Sequence, residues 1–401
     1  MERVEFIVIG LGAVGAAVTY QLARRGTRVL GIDRYSPPHA MGATSGDTRI
    51  TRQAIGESGP YVPLVLRSHE IWREIEAETG TDLLTITGGL IMQPAASRAG
   101  QHGVEDFVGR TIAAARTYGI RHETPDTDEI RRRFPQFVLT EDHRAYYEPG
   151  AGFVRPEAAV RSQVELAERL GAVIRRDELV VQVRDDGPGV EVRTDRRTYG
   201  ADHAVLATGP WLPELIEDSD VSTLFRLYRQ VLYWFEIEEG FAGFTSNRFP
   251  VFIWIFGAQG EQIYGFPAVD GPDGGLKVAT EEYLATTTAA LMEREVRPDE
   301  VSRMFQRCVR GRMAGLSARC VRARACAYTV TPDFNFIIDR LPGARNVTLV
   351  SSCSGHGFKH SAAIGEAVSQ QLTTGSSTND LSPFGLGRFR RPARTLASPR
   401  E

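Results

Sequence analysis

The chain has 401 residues and 42% of them are hydrophobic, so it can form two or three packed domains. Its 47 basic and 50 acidic side chains give a formal net charge of -3, and no block of like charge indicates a nucleic-acid or membrane partner. Four cysteines are too few and too irregularly spaced for a disulfide framework or a zinc site. We expect no metal ion and, without a signal sequence or membrane span, a cytoplasmic protein.

A strand, a glycine turn and a helix are predicted at the start of the chain. Residues 6–9 are typical of a buried parallel strand, and residues 16–25 predict a helix. The turn between them has the GxGxxG pattern and reads Gly10-Leu-Gly12-Ala13-Val14-Gly15. The first glycine permits a tight turn, the second lets the backbone approach a pyrophosphate, and the third lets helix and strand pack closely. The helix N-terminus then presents free N–H groups to the phosphates.

A second strand over residues 28–32 ends at Asp33, where a carboxylate can accept hydrogen bonds from ribose hydroxyls; Arg34 follows. These elements predict a dinucleotide site but do not decide between FAD and NAD. Prolines and glycines then exclude regular structure across residues 34–48, which indicates a long functional loop. This loop and a later apolar strand ending at Thr208-Gly209 favour FAD.

Further motifs occur along almost the whole chain. They are SGDTRITR at 45–52, YRQV at 228–231, YGFP at 264–267, GLK at 275–277, CAYT at 326–329, FIID at 336–339 and SGHGFK at 354–359. Their order and spacing resemble those of the monomeric sarcosine oxidase family. That family includes N-methyltryptophan oxidase and the piperideine-carboxylate oxidase of nikkomycin synthesis.

The resemblance implies an α/β plus α+β fold with a Rossmann-like FAD-binding domain that is assembled discontinuously. Its segments would be residues 1–85, 145–215 and 322–390. A substrate domain with a mainly antiparallel sheet would take residues 86–144 and 216–321, and residues 391–401 would form a tail. The β-rich aromatic runs at 231–235 and 252–256 agree with such a sheet. The family also implies a monomer.

The activity implied by the resemblance is oxidation of the C–N bond of a small secondary amino acid, such as an N-methyl amino acid. Dioxygen would accept the electrons and hydrogen peroxide would form. Arg52 and Lys359 match the pair that clamps the substrate carboxylate. Lys277 matches the lysine that activates dioxygen, and Tyr264 and Tyr328 match aromatic walls of the pocket.

Cys326 matches the cysteine that attaches the flavin covalently through a thioether, and its neighbour Arg324 is expected to favour the thiolate. Thr48 and Arg49 match residues that contact the isoalloxazine ring. The full set of expected cofactor-binding residues comprises Gly10, Gly12, Ala13, Val14, Gly15, Asp33, Arg34, Ser45, Gly46, Thr48, Arg49, Thr208, Gly209, Cys326, Gly355, Gly357, Phe358 and Lys359.

Three positions depart from the sarcosine oxidase pattern. Ser45 and Glu281 stand in the place of histidines, and Ile55 replaces a tyrosine. A carboxylate in the pocket favours a cationic or hydrogen-bond-donating substrate group. Glu281 therefore leaves a cyclic imino acid, piperideine- or pipecolate-like, as an alternative substrate.

Other functional classes also remain open. A flavin dehydrogenase that passes electrons to a carrier is one alternative, although Lys277 and Cys326 argue against it. A flavin-binding scaffold without turnover is another, and the pair of Arg52 and Lys359 argues against that. A nicotinamide dehydrogenase is the weakest alternative.

Overall fold

The computed structural model describes residues 2–185, 187–257 and 260–389, so the tail expected at 391–401 lies outside the described residues. Within that part the helices are α1 (Ala13–Arg24), α2 (Tyr61–Thr79), α3 (Phe107–Thr117), α4 (Thr127–Arg133), α5 (Pro156–Arg169), α6 (Ser219–Ser222), α7 (Pro298–Met304) and α8 (Ser361–Thr374). None of the described helices is long and apolar enough to cross a membrane.

The strands, in chain order, are β1 (Glu2–Ile9), β2 (Val29–Ile32), β3 (Arg49–Thr51), β4 (Leu84–Ile86), β5 (Gly89–Pro94), β6 (His143–Glu148), β7 (Gly152–Val154), β8 (Val173–Arg175), β9 (Val180–Asp185), β10 (Val190–Thr194), β11 (Thr198–Leu206), β12 (Arg226–Ile237), β13 (Val251–Phe256), β14 (Glu261–Gly265), β15 (Leu276–Ala279), β16 (Thr286–Thr287), β17 (Leu316–Val330), β18 (Ile337–Arg340) and β19 (Val347–Ser351). They form two eight-stranded sheets and a three-stranded sheet of β3, β7 and β4.

The first sheet has the order β18-β19-β11-β1-β2-β8, with β10 and β9 added beside β11. Its centre is parallel, and Ile9 at the end of β1 is opposite both Ile32 on β2 and Leu206 on β11. The carboxyl ends of three neighbouring strands therefore meet at one edge, which is where open α/β sheets bind ligands. Helix α1 packs against α5 and α8 over this sheet.

The second sheet has the order β16-β12-β15-β14-β13-β5-β6, with β17 beside β12. All of its pairs are antiparallel except β13 with β5. The long strands β12 and β17 run together from the pair Arg226–Val330 to the pair Ile237–Leu316. The fold class expected from the sequence, a Rossmann-like sheet combined with an antiparallel one, is confirmed.

Sheet membership differs locally from the expected division into domains. Residues 145–148 lie on β6 and residues 322–330 lie on β17, and both strands belong to the antiparallel sheet. The reason is that β6 forms backbone hydrogen bonds with β5, and β17 forms them with β12. The motif near residue 326 does not predict these partners. After β11, the next strand that belongs to the Rossmann-like sheet is β18.

Candidate active site

One elongated cavity runs from the glycine turn to the antiparallel sheet. The predicted site residues that line it are Gly10, Gly12, Ala13, Val14, Asp33, Arg34, Arg49, Arg52, Thr208, Gly209, Tyr264, Glu281, Tyr328, Gly355, Gly357, Phe358 and Lys359. The predicted residues outside its wall are Gly15, Ser45, Gly46, Thr48, Lys277 and Cys326. The cavity thus joins the nucleotide-binding edge to the proposed substrate residues.

The glycine turn closes tightly over the end of β11. A Cβ atom on Gly15 would lie 1.7 Å from the carbonyl oxygen of Gly10, and one on Gly10 would lie 2.6 Å from that of Ala207. Asp33 Oδ2 accepts a hydrogen bond from Leu11 N (2.7 Å), so the acid at the end of β2 also holds the turn in place. Gly12 stands at the N-cap of α1, whose first residues line the cavity.

Two buried hydroxyl groups near this cavity have no hydrogen-bond partner among the described residues. They are Ser45 Oγ and Thr208 Oγ1. Buried polar groups in native proteins normally have partners, so such atoms are suited to a bound ligand. Together with the glycine cradle and the helix N-terminus, these orphan donors fit the FAD expected from the sequence.

The irregular segment that follows Asp33 is held by groups from several elements. Glu157, in the first turn of α5, accepts hydrogen bonds from Gly46 N (2.7 Å) and Asp47 N. Arg49 Nη2 donates to Ala43 O (2.9 Å) and Arg49 Nη1 donates to Thr48 O (2.9 Å). Because its backbone groups are satisfied by fixed side chains, this loop has one defined shape.

Lys277, on β15, is buried directly behind that loop. Its Nζ donates to Gly46 O (2.7 Å), Thr48 O (2.8 Å) and Thr48 Oγ1 (3.2 Å), which matches the three donors of an ammonium group. It also lies 4.3 Å from the ring centroid of Phe266. Burial and the neighbouring Arg49 hold the pKa of Lys277 well below its usual value.

Cys326, on β17, is fully buried one layer behind the cavity wall. Its Sγ lies 3.7 Å from Arg49 Nη2 and 3.6 Å from Ala43 O, and both of these residues line the cavity. Arg324, which was expected to assist the thiol, instead lies 3.8 Å from Glu157. The cation beside Cys326 is therefore Arg49, which comes from a distant part of the chain.

Arg52 forms a buried ion pair that the sequence motifs did not predict. Its Nη2 donates to both carboxylate oxygens of Glu57 at 2.7 Å, and its Nη1 donates to Ala54 O. Burial opposes ionisation of Glu57, but Arg52 and His102 outweigh it and hold the pKa of the carboxyl well below its usual value. The guanidinium thus reaches the cavity with its charge already paired.

Lys359 precedes α8. Of the two expected carboxylate ligands, it has fewer hydrogen-bond partners than Arg52. Its Nζ donates to His356 O (2.6 Å), and no other acceptor of Nζ is found among the described residues. Burial and then the Arg52 charge lower the pKa of Lys359 to about 7. It therefore has ammonium donors free for a ligand when it is protonated.

A chain of hydrogen bonds continues from Glu57 across the cavity. His102 Nδ1 lies 3.2 Å from Glu57 Oε1, and His102 Nε2 lies 2.8 Å from Glu281 Oε2. Burial alone would lower the pKa of His102, but the two carboxylates raise it to about 9. The imidazolium therefore joins two acids that come from distant parts of the chain.

Tyr264 and Tyr328 form an aromatic wall on the antiparallel sheet. Their hydroxyl oxygens lie 3.3 Å apart, and burial raises the pKa of both phenols, which keeps them neutral. They lie on β14 and β17, and both rings line the cavity. This wall provides a largely apolar surface close to the charged cluster.

Several cavity residues were missed as site residues by the sequence analysis. They are Glu57, Gln101, His102, His356 and Cys353. Glu57 and His356 lie inside or beside motifs that were recognised, so proximity to Arg52 and Lys359 could have drawn attention to them. His102 has no such signal, because its importance depends on contacts with residues 45 and 179 positions away.

Removing the buried carboxylate should destabilise the fold. We expect Glu57→Gln to lower the free energy of unfolding by about 3–5 kcal/mol, since it leaves Arg52 buried without its partner charge. As the matched control, Asp202→Asn breaks the exposed pair with Arg3 and should cost less than about 1 kcal/mol. Urea unfolding measures both values, and equal costs would contradict a strongly coupled buried pair.

Comparisons with known proteins agree with this geometry. The family model described as "FAD dependent oxidoreductase" matches residues 5–371. The monomeric sarcosine oxidase of Streptomyces avermitilis is 37% identical over 399 residues, covering 98% of each chain. The N-methyl-L-tryptophan oxidase of Salmonella enteritidis is 32% identical, covering 96% of this chain and 99% of the relative.

A solved structure supports the fold independently. The open form of NikD, described as an unusual amino acid oxidase essential for nikkomycin biosynthesis, superposes with a TM-score of 0.81. The superposition covers 96% of this chain and 98% of the NikD chain, at 21% sequence identity, so this likeness bears on the fold alone. With the sequence matches, it confirms the resemblance expected from the motifs. The chain belongs to the FAD-dependent oxidoreductase family that includes monomeric sarcosine oxidase and N-methyltryptophan oxidase.

Proposed function

We propose that this enzyme oxidises the C–N bond of a small secondary amino acid and passes the electrons to dioxygen, with hydrogen peroxide as a product. In this proposal an N-methyl amino acid is the substrate, and a cyclic imino acid is the second candidate because Glu281 lines the cavity. The Rossmann-like sheet carries the cofactor, residues from all three sheets surround the substrate, and one chain forms the complete site.

The net charge of one cluster in the cavity wall, formed by Arg52, Glu57, His102, Glu281 and Lys359, carries the proposal. Arg49, a further cation of the wall, lies outside this cluster, beside Cys326. Arg52, His102 and Lys359 supply three positive charges when Lys359 is protonated, and Glu57 and Glu281 supply two negative ones. A buried site that retains one net positive charge is stabilised by an anion of one charge. The carboxylate of an amino acid that is bound with its amine unprotonated meets that requirement.

Each side chain then has a part in holding the substrate. Lys359 donates to the carboxylate with its free N–H groups, while Arg52 adds a positive charge from the same side. The neutral phenols of Tyr264 and Tyr328 keep water from the reacting carbon and pack against the small side chain. When bound, FAD supplies the acceptor for the two electrons removed from the C–N bond.

Lys277 acts on the dioxygen side in this proposal. When Lys277 is protonated, its three acceptors fix the ammonium in one position, where no reorganisation is needed when negative charge develops on dioxygen. Burial and Arg49 lower the pKa of Lys277, and negative charge that develops nearby favours its protonated form. This arrangement favours an oxidase over a dehydrogenase that uses a carrier.

A substrate panel tests the proposal. The holoenzyme is mixed without oxygen with N-methyl amino acids and cyclic imino acids, and bleaching of the flavin absorbance is followed. Methyl esters and decarboxylated analogues of the same compounds serve as controls. We expect bleaching by amino acids only, and then one hydrogen peroxide per dioxygen consumed in air. Bleaching by the esters at equal rates, or no bleaching by any amino acid, would contradict the proposal.

The charge on Lys359 predicts a pH dependence. The protonated amine binds a carboxylate, so the affinity should fall as pH rises through about 7, the pKa to which burial and Arg52 lower Lys359. Butanoate is a suitable probe because it has no titrating amine, and its binding can be followed through the flavin spectrum. His356 and His360 stay neutral in this range, because burial holds the pKa of each well below its usual value.

Lys359→Met is the matched control for that titration. It should bind butanoate at least roughly tenfold more weakly at pH 6, and its affinity should no longer change near pH 7. A wild-type affinity that is constant from pH 6 to pH 8.5 would contradict the assignment of Lys359 as the carboxylate ligand.

Covalent attachment of FAD through Cys326 is also part of the proposal. The position of Sγ supports it, because the atom lies 3.7 Å from Arg49 Nη2 and 3.6 Å from Ala43 O, and both of these residues line the cavity. Cys353 lines the cavity too, but burial raises the pKa of its thiol to about 11 and keeps it protonated. The two cysteines therefore provide a matched comparison.

Acid precipitation distinguishes the two thiols. The yellow colour should remain with the precipitated polypeptide in the wild type and in Cys353→Ala, and it should move to the supernatant in Cys326→Ala. Absorbance of pellet and supernatant near 450 nm measures the partition. Complete release of flavin from the wild type would show that attachment is non-covalent.

A further inference from the structure

His102 lies at the tip of a two-residue hairpin between β5 and α3. Gln101 and Val104 exchange backbone hydrogen bonds of 3.0 and 3.1 Å, and the two residues between them are His102 and Gly103. Both have positive φ, 50° for His102 and 76° for Gly103. Positive φ is uncommon for residues other than glycine, although histidine adopts it more readily than most, and contacts of the side chain can stabilise it.

The surroundings of His102 explain why this conformation is retained. Both of its ring nitrogens lie against carboxylates, which only accept hydrogen bonds when ionised, so both nitrogens carry protons. The side chains of His102, Glu57 and Glu281 are each at most 5% exposed. The ring also packs against the rings of His356 and Phe334, so the imidazolium has no freedom to turn away.

The consequence is a fixed orientation of Glu281. Its Oε2 accepts from His102 Nε2 (2.8 Å), Tyr283 Oη (2.9 Å) and Gln262 Nε2 (3.2 Å). Its other oxygen, Oε1, receives no hydrogen bond from any described residue, and Glu281 lines the cavity. One oxygen is thus saturated by the protein and the second is left for a ligand.

We propose that His102 is a positioning residue that holds Glu281 so that Oε1 accepts a hydrogen bond from the N–H of the substrate amine. This inference rests on the proposed function and deepens it by naming the residue that binds the N–H of the secondary amino acid. Lys359 holds the carboxylate end of the substrate and Glu281 holds the amine end. Tyr283 and Gln262 assist His102 from the antiparallel sheet side.

The backbone around the site agrees with this assignment. A Cβ atom on Gly355 would lie 2.6 Å from Tyr283 Oη, 2.9 Å from His102 Nε2 and 3.4 Å from Glu281 Oε1. The loop that carries Lys359 therefore passes directly beside this group of polar atoms. Lys359 and Glu281 also influence each other electrostatically, as expected for ligands of two ends of one small molecule.

The test uses each amino acid together with its carbon isostere, in which CH2 replaces NH. Sarcosine is compared with butanoate, and L-proline with cyclopentanecarboxylate. The readout is the ratio of their dissociation constants for the holoenzyme, from anaerobic flavin reduction for the amines and from flavin spectral shifts for the isosteres. We expect the wild type to bind the better amine at least roughly tenfold more tightly than its isostere.

Two substitutions at one position separate the two contacts of His102. In His102→Gln the amide nitrogen can take the place of Nε2 and keep the bond to Glu281, whereas in His102→Asn it takes the place of Nδ1 and keeps the bond to Glu57. The dissociation constant of the isostere divided by that of the amine should stay within about threefold of the wild-type value in His102→Gln. It should fall at least roughly fivefold in His102→Asn, in His102→Ala and in Glu281→Ala.

The double variant His102→Asn/Glu281→Ala should lose no more of the ratio than Glu281→Ala alone, since both changes act on one hydrogen bond. Equal ratios in the Gln and Asn variants, or losses that multiply in the double variant, would overturn the inference. A merely structural histidine would affect amine and isostere alike. If flavin is bleached by amino acids but the wild-type ratio is near one, the inference fails and the proposed function stands; if no amino acid bleaches it, both fail.

Discussion

The site depends on five charged side chains that are buried together. Three of them are cations when Lys359 is protonated, and two are anions. The side chains of Arg52, Glu57, His102 and Glu281 are each at most 5% exposed, Lys359 is buried as well, and each carboxylate contacts at least one cation. Every charge buried without a partner would cost several kcal/mol, so the arrangement is tolerable only while the pairing is complete. One cation, Lys359, is left over, and a ligand of opposite charge completes the set.

This requirement links the two halves of the fold. Arg52 follows β3 of the small sheet, Lys359 precedes α8 beside the Rossmann-like sheet, and Glu281 follows β15 of the antiparallel sheet. Glu148 on β6 adds a further restraint by accepting hydrogen bonds from Gln53 N (2.7 Å) and Ala54 N (3.1 Å). The relative positions of Arg52, Lys359 and Glu281 therefore depend on all three sheets being assembled correctly.

Local signals explain what the sequence could predict. The glycine turn and Asp33 belong to one βαβ unit, whose geometry follows from nearby residues alone, and the family motifs extend this to a fold class. The partners of Arg52 and Cys326, and the sheet to which residues 322–330 belong, depend on contacts between distant segments. Arg49 rather than Arg324 lies beside Cys326 because strand pairing directs the two arginines to different neighbours. His102 was not predicted as a site residue, because its contacts are with distant segments and its loop carries no motif.

The pairing of His102 with Glu281 also gives a physical account of the departure at position 281. The family resemblance implies a histidine there, and an acid in its place would by itself add an uncompensated negative charge beside a carboxylate-binding pocket. Here an imidazole reaches the same place from a different loop and binds the acid at 2.8 Å. His102 therefore places a positive charge beside Glu281 and fixes one of its oxygens. In our proposal the other oxygen accepts a hydrogen bond from the substrate nitrogen, so the departure at position 281 acts on substrate selection.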